Sequence, residues 1–461
     1  RGSDCARWAQ PFAKVSEEVV TDSAGGLTRA SPGDQASTPR RVLLRSHRDL
    51  RVACSPTVIA QKNLIGDNSG NTIFTHAVHR VLSTADTTID VDLNRARPDS
   101  AARINETYDQ YVLPFANAFR PPFIKRLEKY AALIEQLTIP VVIVGVGVQL
   151  NFAGDDPESL EVARPTIDRF MRAVLARSAS VGLRGETTYD YLRSIGYADD
   201  ELSVIGCPSL FQFGEFRVRD PLPLTRKSRV TINVSPYQPR MGPITARNTQ
   251  RYPPMRHVAQ DLNTLRTILY GYDPPNASDY DPRVPYRAND ELLKRGRTDF
   301  FVDPTTWIDW LSNRDVSFGT RIHGNIASLL AGTPAFVLAH DSRTRELADY
   351  HEIPYRQLQA QPEDLDPRDL FETADYTNFH ANQRQRLAVY KAFLDRNGVR
   401  HNLTARPADR AAVEHFDALV EAARNRRPVT SVSPTRHEIR RRRDEAKQKS
   451  RAVLRKVNRA R

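Results

Sequence analysis

Cysteine is scarce in this chain: three in 461 residues, Cys5, Cys54 and Cys207, far apart and without metal-ligand spacing. That excludes a disulfide-stapled framework and a zinc site built on cysteine pairs, and it makes a reducing compartment the default. Long apolar runs are also missing. No window approaches the ~20 consecutive apolar residues a spanning helix needs, and the first residues show no leader-like apolar core. A cytoplasmic protein is therefore expected, although a start at Arg1 rather than Met is compatible with a processed or truncated end.

What the chain does have is length, enough for two or three domains, and a formal charge of +12. Most of that charge is terminal. Arg436 to Arg461 holds twelve Lys or Arg against three acidic residues, a net +9, which leaves about +3 for everything else. A basic tail and a nearly neutral body are separate objects, and only the body can host a shaped pocket. In the tail, Arg440 to Arg443 and the thin apolar stripe of Ala446, Val453, Leu454 and Val457 suit peripheral contact with an anionic membrane, at its inner face for a cytoplasmic protein. A solvated end is the plainer reading. With no aromatic residue there to stack on bases, nucleic acid is not an expected partner.

Read in order, residues 1–48 mix Ser, Gly, Pro and Arg without a period and suggest an irregular arm. From residue 49 the chain alternates strands, polar turns and helices, the pattern of a parallel sheet wrapped by helices. Leu50 to Cys54 reads as a strand, and Thr72 to Leu82 as a helix. Between them the loop Asn63 to Asn71 carries Gly66, Asp67 and Asn68, which face a ligand in such a sheet or else form an ordinary turn. Arg126 to Thr138 reads as a helix. The strand Ile139 to Gly147 ends in glycines, Gly147 last, which admit either a ligand or a packed backbone. After a helix over Thr166 to Ala179, the strand Ser180 to Leu183 delivers Arg184 at its end, and Glu186 to Ile195 is again helical. The Pro- and Arg-rich stretch Asp220 to Arg229 reads as an interdomain connection. The predicted domains are 49–225 and 226–375, followed by helices in 376–427 and the basic tail 428–461. Residues 235–297, rich in Pro, Tyr, Arg and Asp, are expected to form a long insertion over the crevice.

The most informative run is Phe318-Gly319-Thr320-Arg321-Ile322-His323-Gly324-Asn325. A buried strand, Asp315 to Phe318, enters it. A helix opening at Gly324 and Asn325 leaves it, with Ile326, Leu329 and Leu330 at helical spacing and Gly332 and Pro334 ending it. Ala335 to Ala339 then makes a strand apolar on both faces. In a βαβ unit the strand's carboxyl end and the helix's free N–H groups meet at one crevice that favours negative charge. Arg321 brings a fork of donors for phosphate or carboxylate, and His323 a proton carrier near neutral pH. The alternative is structural: Arg321 paired with a carboxylate and His323 capping the helix.

These motifs resemble the polysaccharide pyruvyl transferase family from about Asp49 to Pro354. The resemblance is carried by Gly319-Thr320-Arg321-Ile322-His323, Ala331-Gly332-Thr333-Pro334, His340-Asp341-Ser342-Arg343 and Leu183-Arg184-Gly185-Glu186. The chain departs from the family pattern in three places. Asn63-Leu64-Ile65-Gly66-Asp67 is one residue longer than usual, Cys207-Pro208 stands for Asp-Pro, and Arg343 stands where lysine is frequent. The resemblance implies an α/β fold of two Rossmann-like domains facing a cleft, similar to GT-B glycosyltransferases. It also implies a transferase of exopolysaccharide or cell-wall glycan biosynthesis that moves a pyruvyl group from phosphoenolpyruvate to a sugar acceptor as a ketal, a scheme expected to need no bound metal and no cofactor. On that reading Arg184, Arg321 and Arg343 hold the donor with backbone N–H groups of Ile322 and His323. His323 with Arg321 is the catalytic pair, and Gly66, Asp67, Asn68 and Gly147 lie on the acceptor side of the cleft. The competing expectation is a GT-B glycosyltransferase, with Arg321 and Arg343 on a nucleotide-sugar diphosphate and Glu346 on the sugar or ribose.

Overall fold

The structure, a computed structural model, describes residues 39–149, 157–404 and 406–430. Two sheets organise them. In the first lobe β1 (Arg40–Leu44), β2 (Thr87–Val91), β3 (Gln110–Pro114) and β4 (Val141–Val144) lie in the order β2-β1-β3-β4, all parallel. The parallel pair β5 (Val181–Leu183) and β6 (Leu202–Val204) joins β4 through a bridge between Val146 and Leu183. Helices cover both faces, so the inner strands are apolar throughout. Val141, Val142, Ile143 and Val144 are all fully buried, each stabilising the fold by about 1.5–3 kcal/mol relative to exposure.

The second lobe contains β7 (Val230–Asn233), β8 (Arg256–Ala259), β9 (Thr298–Phe300), β10 (Val316–Gly319), β11 (Ala335–Ala339) and β12 (Tyr355–Gln357). Their order, β12-β11-β10-β7-β8-β9, is the Rossmann arrangement 3-2-1-4-5-6 when β7 is counted as the first strand. β13 (Val429–Thr430) adds an antiparallel edge against β9. The first lobe reverses its strand order between β1 and β3, the second between β7 and β10, and ligands of open α/β sheets bind at such reversals.

The chain then crosses back. The Gln383–Arg396 helix inserts Tyr390, Phe393 and Leu394 among Val42, Leu44, Val142 and Val144 of the first lobe. The Pro407–Ala423 helix places the Phe416 ring 4.5 Å from that of His79. A further apolar cluster is shared by the lobes, with Ile73, Phe74, Cys207 and Leu210 from the first against Ile322, Ile326, Leu329 and Leu347 from the second. None of the described helices is long and apolar enough to cross a membrane.

Four local expectations are corrected. The first strand is Arg40–Leu44, inside the stretch read as an arm, whereas Leu50 and Arg51 lie in a turn and Val52 is 60% exposed. Only three apolar residues, flanked by arginines, mark β1, which weakens its pattern. Residues 235–297 are not insertion throughout: the longest run without a strand or α-helix is 271–290, with one short helical turn at Ala277–Asp279. They hold the Met241–Arg251 helix, β8 and the Leu262–Tyr270 helix, and polar Arg256 and His257 disguise a central strand. The helix before β5 runs from Pro157 to Leu175 and tolerates Pro165. Val429 and Thr430 belong to the second sheet rather than to a tail. Residues 1–38 and 431–461, with the stripe from Ala446 to Val457, lie outside the described residues.

Candidate active site

The carboxyl ends of β1, β3, β7 and β10 face one cavity of about 780 Å³, lined by residues of both lobes. The turn after β10 is fixed by Asn233, which ends β7. Its carbonyl accepts from the Thr320 N–H at 3.0 Å, its Oδ1 accepts from the Arg321 N–H at 2.7 Å, and its Nδ2 donates to Asn325 Oδ1 at 2.9 Å. Gly319 is required there: at φ +141 it lies so close that an added Cβ would sit 1.9 Å from the Asn233 carbonyl oxygen. The helix Ile322–Leu330 therefore starts at Ile322, two residues earlier than expected, with Arg321 at its N-cap and its first residues, Ile322 and His323, on the cavity wall.

Arg321 lines the cavity but is not a free cation. It is 7% exposed, its Nη2 is ion-paired with Asp261, and its Nε donates to the Val234 carbonyl at 3.3 Å. His323 is partly buried, its Nε2 3.9 Å from Cys207 Sγ and its ring 6.4 Å from that of Phe74. Gly70 makes room for it, because a Cβ there would come within 2.8 Å of His323 Nδ1. Burial, then the charges of Arg184 and Arg343, push the His323 pKa down to about 3, so the imidazole is neutral at pH 7.

Arg184 leaves the end of β5 and is 3% exposed, yet its Nη1 has no hydrogen-bond partner. Burial lowers its pKa to about 10, against the attraction of Glu346. Gly147 packs on it, since a Cβ at 147 would lie 3.2 Å from Arg184 Nε. Glu346 spans the lobes by accepting from the Thr188 N–H at 2.7 Å, and burial pushes its carboxyl up. Arg343 pairs with Asp341 at 3.2 Å and leaves Nε without a partner. Burial would raise the Asp341 carboxyl, but Arg343 and His340 bring it to about 2.

The loop carrying Gly66, Asp67 and Asn68 closes the site from the first lobe. The Asp67 carbonyl accepts from the Leu262 N–H at 3.0 Å, the Ser69 N–H donates to the Gln260 carbonyl at 3.0 Å, and Asn68 bridges to Asp261. Its tight turn depends on Gly66 at φ +57, packed against the His47 ring.

Of the residues singled out in the sequence, Arg184, Arg321, Ile322, His323, Arg343, Gly66, Asp67 and Asn68 line the one cavity, while Gly147 stands behind Arg184. Sequence reasoning missed Arg45, Arg120, Lys125, Arg126, Lys129, Tyr237 and Asp261, which line it too. Arg45 follows the unrecognised β1, and Asp261 sits in the misread stretch. Arg120 lies in Phe119-Arg120-Pro121-Pro122, which matches no motif. Among the described residues no group of three or more His, Cys, Asp or Glu is placed to hold a metal ion.

Solved structures similar to the chain include UDP-GlcNAc 2-epimerase of Methanocaldococcus jannaschii in complex with UDP-GlcNAc and UDP, at 9% identity and a TM-score of 0.40, covering 77% of this chain and 99% of that one. UDP-GlcNAc 2-epimerase of Neisseria meningitidis bound to UDP-GlcNAc matches at 10% and 0.37, over 83% and 99%. Anabaena HepE in complex with UDP and glucose matches at 11% and 0.37, over 83% and 100%. Likeness that distant transfers no ligand. No curated protein matches the chain. A family model does match, over residues 68–342, a span that runs from Asn68 to Ser342 and contains Arg184 and the Gly319 to His323 turn: the chain belongs to the polysaccharide pyruvyl transferase family.

Proposed function

We propose that the chain transfers the pyruvyl group of phosphoenolpyruvate to two hydroxyls of one sugar, forming a ketal and releasing phosphate. One observation carries this reading: Arg184, almost fully buried with an unpartnered Nη1, stands in one cavity with Arg343 and a neutral His323. A buried unpaired cation is costly unless an anion completes it. Phosphoenolpyruvate carries nearly three negative charges at pH 7, because its phosphate loses a second proton near pH ~6. Arg184 and Arg343 are the donor clamp, and the N–H groups opening the Ile322–Leu330 helix assist. Arg321, engaged by Asp261, forms the wall that fixes this turn.

On this reading His323, neutral at pH 7, acts first as a base and then as an acid. A neutral imidazole takes the proton of the first attacking hydroxyl as its oxygen bonds to the central carbon of the donor. The imidazolium then delivers that proton to the methylene carbon, which becomes the methyl group. The bond from the central carbon to the phosphate oxygen breaks, the second hydroxyl closes the ketal, and its proton leaves with phosphate. Atoms and charge balance without a further reactant. The test is thermal stabilisation by phosphoenolpyruvate against a panel of nucleotide sugars. A shift with phosphoenolpyruvate is expected, and a response to nucleoside diphosphates alone would replace this reading with glycosyl transfer.

A further inference from the structure

The donor clamp, Arg184 and Arg343, accounts for only part of the cavity lining. Phosphoenolpyruvate has three carbons and one phosphoryl group, whereas about 780 Å³ falls in the ~300–1,000 Å³ range that holds drug-sized ligands. Another part of the lining comes from the first lobe, from the segment after β3 and the Ile124–Ile134 helix. Arg120, Lys125, Arg126 and Lys129 belong to it, and none has an ion-pair partner among the described residues.

We infer that this cationic strip is a second anion subsite, which holds a phosphoryl or diphosphoryl group on the sugar acceptor while its hydroxyls reach His323. The inference rests on the pyruvyl-transfer reading and names the acceptor's chemical class within it. Three features support it. Lys125 and Lys129 stand one helical turn apart, where like charges destabilise a helix, and the sequence places Arg126 beside them. Arg120 is half-buried with its Nε on the Asn117 carbonyl at 3.1 Å, and burial with the nearby charges of Arg343 and Arg126 lowers its pKa. Arg120 thus lies within reach of both the donor clamp, at Arg343, and the helix cation Arg126. Asn117 supplies the third feature: it lines the same wall, and its buried Oδ1 has no partner, which leaves an acceptor for a sugar hydroxyl. A neutral glycan would need the hydroxyl acceptor but not the cations.

The experiment measures melting of the full chain with saturating phosphoenolpyruvate while inorganic pyrophosphate is added, in wild type and in the triple variant Lys125→Ala, Arg126→Ala, Lys129→Ala. Alanine at exposed helix positions keeps the helix. Phosphoenolpyruvate alone should shift both proteins equally. Pyrophosphate should raise the wild-type melting temperature further, and the variant should need at least about tenfold more of it. An equal pyrophosphate response in the two proteins, or none in wild type, overturns the subsite. Absence of the phosphoenolpyruvate shift would sink the donor reading instead, so the two failures are distinguishable. Two more ligands assign the carrier. A nucleoside diphosphate matching pyrophosphate, with the same loss in the variant, supports a soluble sugar nucleotide; a polyprenyl diphosphate in detergent micelles that binds more tightly, again with loss in the variant, supports a lipid-linked sugar.

Discussion

Replacing Arg184 by Met should stabilise the empty protein while removing its response to the donor. Burial holds the guanidinium near pKa 10 instead of its ordinary 12.5, which places a penalty of about 3 kcal/mol on the charged form at about 1.4 kcal/mol per pH unit. Methionine fills similar apolar space and removes the charge. The gain is smaller than that ceiling, because Glu346 then loses its attractive neighbour and its Oε2 already lacks a partner. Pairing the change with Glu346→Gln isolates the cation. The double variant should melt several degrees above Glu346→Gln alone, given roughly 2–4 °C per kcal/mol in a lobe of this size. Phosphoenolpyruvate should raise the melting temperature of wild type and of neither Arg184 variant. Scanning calorimetry with and without the donor reads both effects. Lower stability in the empty double variant, or undiminished protection by the donor, would refute the reasoning.

His323→Gln should lower phosphate release by at least about 10²-fold while leaving donor protection in place; turnover within twofold of wild type would remove the imidazole from the chemistry. Donor binding should draw the His323 pKa up from about 3, so isothermal titration at pH 6 in two buffers of different ionisation enthalpy should show more proton uptake in wild type than in His323→Gln. Acid should unfold the protein through its buried neutral histidines. His76 is held near 4, and His79, His257 and His351 near 3, by burial first. Their contribution is full above the unfolded value of about 6.5 and declines as pH falls toward those values, by about 1.4 kcal/mol per histidine per pH unit, so stability measured from pH 7 to 4 should fall steeply. Gly319→Ala should cost about 3 kcal/mol or more, measured by denaturant unfolding, because its Cβ meets backbone rather than a movable side chain.

The second lobe was more legible than the first, and the reason lies in particular residues. β11 is an unbroken apolar run closed by Pro334 and His340, and its bounds, Ala335 to Ala339, agree with the sequence reading. β10 and the following helix were signalled by Gly319 and the Ile326, Leu329, Leu330 spacing, with an error of two residues at the helix start. β1 and β8 were hidden because arginines and a histidine occupy short strands whose identity comes from neighbours in space: Val42 faces Ile89 and Gln110, and Ile232 faces His257. The cavity lining followed the same rule. Residues at strand ends within recognisable motifs, Arg184 and His323, could be named. Asp261, which takes one hand of Arg321, could not, because only folding brings residues 60 apart into contact.

The apolar cluster shared by the lobes has a consequence for how far they can part. Ile73 and Phe74 on one side and Ile322 and Ile326 on the other are almost fully dry, and wetting each such side chain costs about 1.5–3 kcal/mol. A wide hinge movement that parted them would forfeit several of these at once. The two lobes are therefore expected to stay packed together at this cluster, and neither half of the polypeptide expressed separately should dissolve without the other.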